Sequence, residues 1–210
     1  MMIKMIKTSY LATALVYIFS IASAEISFDK IDTVKIWNTI QNENIQIRWT
    51  HYGGYPICQT TSLLPFSLES IASVIEDVGN YPNIFKRIHK TEILQNDIVH
   101  IMLDMPLFLS NRDYVIQYKK QKSQETWEFT FNAVEHLDAP ENKKYVRLVN
   151  AAGRWQLTPE SKKTTLVSYT WNGELLGDFP KFALERAWET QGNEIIHWLS
   201  LIHISEPTRL

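Results

Sequence analysis

The chain has 210 residues, 45% of them hydrophobic and 21% charged, with a formal charge of −2. That length fits one domain with a sizeable core, and the composition excludes both a disordered chain and a membrane-spanning one. The basic residues are scattered and form no run that could track a phosphate backbone, so nucleic acid is not an expected partner.

At the N-terminus, Lys4 and Lys7 precede the apolar stretch "YLATALVYIFSIASA", which closes on Ala22-Ser23-Ala24. A basic start, a short apolar run and small residues at −3 and −1 are the marks of a secretory signal peptide. An uncleaved anchor would need about 20 apolar residues to span a bilayer. The expectation is a signal over residues 1–24, cleavage after Ala24, and an exported protein, periplasmic or secreted. Losing Lys4 and Lys7 leaves 19 basic against 23 acidic residues, a mature charge of −4. One domain over 25–199 follows. From Ser200 the text "SLIHISEPTRL" breaks the preceding pattern and resembles a translated sequencing adapter, so 200–210 reads as a non-native tail. The lone Cys58 allows no internal disulfide and sits in an apolar strand-like stretch, as a small core residue would.

Along the mature chain, Phe28, Ile31, Val34 and Ile40 fall at helical intervals and predict a first helix. "NIQIRWTHY" alternates as a strand, Gly53-Gly54 with Pro56 makes a turn, and "ICQTTSLL" is the second strand. Leu68, Ile71, Ala72, Ile75 and Val78 then mark one helix face, with Ser67 as N-cap and Gly79 as the stop. "NYPNIF" predicts a short helical turn with Pro82 in its first turn. The period then changes to two. Six segments, from "HKTEIL" to "TTLVSYTWNGE", alternate in succession across short polar turns, a curved antiparallel meander. "YVRLVNAAGRWQLTP" (145–159) is one of the six. Gly173 and Gly177 end the last strand. Asp178 is placed to cap a long helix from about Phe179, with Leu184, Ala187, Trp188, Gln191, Ile195 and Trp198 on one face.

A sheet of this kind must bury one face, and the last helix is the only long amphipathic element left to cover it. The strands offer bulk: Trp127, Phe129 and Phe131 alternate on one, Tyr114, Ile116 and Tyr118 on its neighbour, and Val167, Tyr169 and Trp171 on the last. Spacing alone leaves open whether these rings fill a core or wall a cavity. The stretch "PLFLSNRDYVIQY" (106–118) poses a sharper problem. Adjacent strand residues point to opposite faces, so Arg112 and Asp113 cannot both face out, and the inward charge needs a partner or a ligand.

These residues carry a resemblance. Pro106 followed by Asn111-Arg112-Asp113 and an aromatic strand resembles a segment of START-type lipid-binding domains. "VIEDVGNYPNIFKRI", "GRWQLTP", "TTLVSYTW" and "GDFPKFAL" are similar to other segments of that superfamily, in the same order, over roughly residues 35 to 198. The superfamily also holds coenzyme Q-binding proteins and polyketide aromatase/cyclases. The resemblance implies an α+β helix-grip fold, a curved antiparallel sheet wrapped around a long C-terminal helix, enclosing a tunnel for one apolar ligand. By it Arg112 faces inward, either at the ligand or in an internal salt bridge, and Asp113 holds the strand start or a nearby loop.

On that reading the protein is an exported carrier or sensor of a lipid or other apolar molecule, a monomer touching membrane surfaces transiently. Trp127, Phe129, Phe131, Tyr169, Trp171 and Trp188 are the expected lining, with Arg112 or Arg154 meeting a polar head. A different class, a cyclase-like enzyme in the same cavity, would show several convergent titratable groups there, where a carrier would show at most one charge. The sequence has no G-x-S-x-G and no phosphate-cradling glycine loop. Its one E-x-x-H, Glu194 to His197, lacks the second helix a di-iron site needs. No cofactor or metal is implied. His100, with Asp104, is the best enzymatic pair, though a solvated sheet face explains both. An interaction module would instead show a filled core and a large exposed apolar patch.

Overall fold

The computed structural model describes residues 26–106, 108–123 and 125–201. The expected signal segment and residues 202–210 of the expected tail lie outside them. Alternating apolar residues build ten strands into one sheet: β1 (Asn38–Asn42), β2 (Ile45–Tyr52), β3 (Tyr55–Leu64), β4 (Ile88–Gln95), β5 (Ile98–Leu103), β6 (Asn111–Lys122), β7 (Trp127–Ala133), β8 (Tyr145–Arg147), β9 (Ala152–Ser161) and β10 (Thr164–Asn172). The spatial order is β1-β2-β3-β10-β9-β7-β6-β5-β4. The predicted meander thus runs from β4 to β10 with β8 off its path, and β3 closes against β10. All pairings are antiparallel except that of β8, which lies parallel to the start of β6.

Three helices serve the sheet: α1 (Leu68–Glu76), α2 (Tyr81–Ile84) and α3 (Leu184–Ser200). Ser67 caps α1 as expected, its hydroxyl accepting from the Ser70 amide at 3.2 Å. The helix ends at Glu76, before Gly79. Along α3, Trp188, Gly192, Ile195, Ile196, Trp198 and Leu199 are buried. Gly192 is where the helix meets the sheet: a Cβ there would lie 2.8 Å from Ile47 of β2 and 3.3 Å from Thr60 of β3. The helix therefore seats on the β1–β3 side. It stands off the β4–β10 side, and that offset makes room for a cavity.

Three readings change. The predicted first helix is only a 3-10 turn, Ile31–Thr33, followed by β1. Its helical spacing mixes two unrelated contacts. Phe28, Ile31 and Val34 cluster with Ile57 and Ala152, while Ile40 packs against the main core. The predicted strand 145–159 is two strands, because the chain turns at Val149-Asn150 and passes from a parallel pairing to an antiparallel one. Asp178 does not cap the last helix. A 3-10 turn, Lys181–Ala183, leads into α3, and the Asp178 carboxylate is held by β6 and the residue before it.

Candidate ligand cavity

Strand register sets the inner wall residue by residue. Across the concave face, Tyr118, Phe131, Gly153, Trp171 and Cys58 form one row, and Phe129, Trp155, Tyr169 and Thr60 the next. Tyr169 stacks between its neighbours, 4.1 Å from Trp155 and 5.1 Å from Trp171. Gly153 is required here because the Phe131 ring lies over it, leaving 2.4 Å for any Cβ. Between these rings and α3 lies a cavity of about 330 Å³. Its walls include Tyr81 of α2 and Phe85 just after it, Tyr114 and Tyr118 of β6, and Ala187, Gln191, Ile195 and Trp198 of α3. The segment 173–176 and residues Met105 and Pro106 complete it.

The polar run 110–113 assembles that far wall, each residue tying down a different segment. Ser110 donates to Asp178 from both its amide and its hydroxyl. Asn111 accepts from the Met105 amide at 3.0 Å and donates to Asp104. Arg112 faces inward as expected and is fully buried. Its guanidinium donates to the carbonyls of Leu175 (3.0 Å), Leu176 (2.9 Å) and Ser110 and to the Asp178 carboxylate (2.9 Å). Of the two alternatives for Arg112, the internal ion pair is the one realised. It fastens the 173–178 segment, in which Leu176 is held at φ 48°. The amide and hydroxyl of Ser110, then Arg112, also hold the Asp178 carboxyl below its usual value.

Asp113 points to the opposite face. Arg147 grips it through two bonds of 3.0 and 2.7 Å, and His100 Nε2 lies 2.8 Å away. Burial by itself would raise the Asp113 carboxyl, but these hydrogen bonds and the Arg147 charge outweigh it and hold the group low. The expected His100/Asp104 pair is absent. His100 sits with Asp113 on the convex face, and Asp104 pairs with His89 at 2.9 Å.

Of the residues expected to line the cavity, Phe131, Tyr169 and Trp171 do so. Trp127 lies farther along β7 under Lys122, whose ammonium is 3.3 Å from the ring centroid. Phe129 belongs to the packed core at that end, where α1 covers β9. Trp188 packs on Trp49 and donates to the Gly173 carbonyl at 2.8 Å. Arg154 is on the convex face, its guanidinium donating to Asp32 at 2.7 Å. It cannot reach a head group in the cavity. Sequence reasoning missed Tyr81 and the 173–176 segment, because α2 and the strand-end loop have no period that points them inward, and it missed Trp155, which alternates with Gly153 on β9. It also missed the wall charges. Arg87 and Glu194 pair at 2.5 and 2.8 Å, Glu174 accepts from Asn150 and Asn172, and Asp104 and Arg186 complete the set. The cavity is thus not a tunnel with at most one charge.

The four wall phenols are different in kind. Burial raises the hydroxyls of Tyr81, Tyr114, Tyr118 and Tyr169, so they stay neutral well into the alkaline range. Tyr81 donates to the Ile75 carbonyl at 2.7 Å. Burial likewise raises the Cys58 thiol, which fits an inert core residue.

A curved antiparallel sheet gripping a C-terminal helix, with a cavity between them, is the helix-grip class. The START domain model matches residues 76–200, more than half of the chain, and the chain belongs to that family. No curated protein is similar to it at the sequence level. Among solved structures, the STAR-related lipid transfer protein of Xanthomonas axonopodis (a fragment) is similar at 20% identity and TM-score 0.69, covering 81% of this chain and 99% of that one. Human StAR-related lipid transfer protein 5 has 14% identity and TM-score 0.73, over 81% and 88%. Human STARD10 has 14% identity and TM-score 0.75, over 86% and 78%.

Proposed function

We propose that this protein is an exported, non-enzymatic carrier or sensor that holds one lipid or similar apolar molecule between the sheet and α3. The observation that carries the reading is the cavity itself, walled by Phe131, Trp155, Tyr169 and Trp171 on an otherwise close-packed sheet. An apolar space walled by aromatics favours an apolar guest over water. The names of the similar solved proteins, lipid transfer proteins among them, support the same assignment. Export rests on the N-terminal segment read above, and the protein acts as a monomer.

Two fully exposed rings support a transient membrane contact at the cavity rim. Phe108 follows the wall residue Pro106, and Phe182 lies between the wall residues Phe179 and Ala183. Their two segments are stitched together by Ser110, Arg112 and Asp178. The test is native mass spectrometry on protein purified gently from the exported fraction. A mass increment lost on denaturation is expected, and Phe131→Glu should abolish it, since its charge would have to be desolvated against the guest. Phe108→Ser with Phe182→Ser should slow transfer between vesicles while leaving equilibrium binding unchanged.

A cyclase-like enzyme in the same cavity is the second reading, and the charged wall groups speak for it. Against it, the carboxylates of Asp104, Glu174 and Glu194 are each engaged by a protein partner. The phenols, neutral at physiological pH, are poor bases. Turnover of a polyketide-like substrate by the purified protein would favour the enzyme.

A further inference from the structure

Tyr114, Tyr118 and Tyr169 reach the cavity from β6 and from β10, two strands separated in the sheet by β7 and β9. Tyr118 lies 5.6 Å from the Phe131 ring and Tyr169 5.1 Å from the Trp171 ring, so the phenols wall the same cavity on either side of Phe131 and Trp171. Among the described residues, no protein group hydrogen-bonds the hydroxyl of Tyr114 or of Tyr169. The indole N–H of the neighbouring wall residue Trp171 is also buried without a partner. Buried polar groups are rarely left so. A purely hydrocarbon guest would leave these donors unmatched.

The wall charges, by contrast, offer nothing to a charged guest. Arg87 is taken by Glu194, the carboxylates by protein donors, and Arg186 is exposed to solvent. A charged head among the phenols would therefore be desolvated without a counter-charge. The volume, about 330 Å³, is at the low end of the roughly 300–1,000 Å³ of small-ligand sites. It suits a compact molecule with one chain or one ring system, not a two-chain phospholipid.

We propose that Tyr114, Tyr118 and Tyr169 form a hydrogen-bonding subsite for an uncharged oxygen, so that the ligand is a compact neutral alcohol or carbonyl compound that binds with its oxygen inside the cavity. This rests on the carrier reading and names its ligand class. Because a phenol is both donor and acceptor, the subsite takes a hydroxyl in either role and a carbonyl as acceptor. It selects by polarity within an apolar envelope.

The test compares three probes of equal chain length, 1-dodecanol, dodecane and dodecanoate, delivered from cyclodextrin to the mature chain at pH 7. Dodecanol should bind about tenfold more tightly than either of the others. Tyr169→Phe and Tyr114→Phe keep the rings and remove only the oxygens. Each should shrink the dodecanol-to-dodecane affinity ratio by about three- to tenfold, with dodecane binding no weaker than in the native protein because no unmatched hydroxyl is left beneath it. Equal binding of dodecane and dodecanol by the native protein overturns the subsite, as does an unaltered ratio in both variants. Dodecanoate binding most tightly overturns its neutrality. If none of the three binds at about 0.1 mM, the carrier reading itself falls.

Discussion

On the concave face, Phe131, Gly153 and Trp171 lie side by side across β7, β9 and β10; one residue away, on the convex face, the row reads Thr130, Arg154, Thr170, Gln59 and Arg48. The first row carries rings and leaves space. The second is a ladder of polar partners: Arg48 donates to Gln59 at 2.9 and 2.6 Å, Gln59 donates to Thr170, and Arg154 meets Asp32. The N-terminal segment then covers it, with Trp37 over the Arg48 guanidinium and Phe28 and Ile31 buried against Ile57. Both faces are buried, so the usual split of apolar-in and polar-out does not describe this sheet. Most polar groups on the convex face are matched within the protein, although Arg154 Nε is buried without a partner. On the concave face two phenols and an indole are unmatched, and those groups line the cavity.

Arg112 is where the comparison can be broken most severely. Arg112→Leu leaves three carbonyls without their donor, and Asp178 with Ser110 alone, and should cost about 3–5 kcal/mol in denaturant unfolding, at about 1–3 kcal/mol for each unsatisfied acceptor. The 173–178 wall should loosen with it. Arg112→Lys should recover little, because one ammonium cannot span the same fork of acceptors.

Asp113→Asn comes next, at about 2–3 kcal/mol, since it weakens a buried bidentate bond to Arg147. Its effect should depend on pH. The folded carboxyl is held below its unfolded value of about 3.9, so its contribution is complete above that value and fades as pH falls through the lower folded value. The stability gap between native and variant protein should therefore close in acid, and a gap unchanged at pH 2 would refute the assignment.

Gly153→Ala sharpens the contrast from the other side. Its Cβ must displace the Phe131 ring, which walls the cavity. Overpacking of this kind costs about 1–3 kcal/mol, and ligand affinity should drop more than stability does. Last, Arg154→Met should cost about 1 kcal/mol, because its partner Asp32 is half exposed and stays solvated. Ligand binding should not change. A loss of binding in Arg154→Met would mean that the two faces are not independent.

The legible part of this protein was whatever repeats. Period two announced the meander, and period 3.6 announced α1 and the buried stripe of α3. The run at 110–113 could be singled out because four polar residues interrupt an alternating pattern. Alternation also fixed that Phe131 and Phe129 share a face, and that Arg112 and Asp113 do not.

Tertiary structure alone decided which of those same-face rings meet the cavity. Phe129 and Phe131 are two residues apart, yet one belongs to the packed core it shares with α1 and the other walls the space that the offset of α3 leaves open. No local pattern encodes that offset. It depends on Gly192 meeting Ile47 and Thr60, residues more than a hundred positions away. The partner of Arg112 was hidden for the same reason. Burial makes a counter-charge obligatory, but only the path of the chain through residues 173–178 could supply Asp178 rather than a ligand.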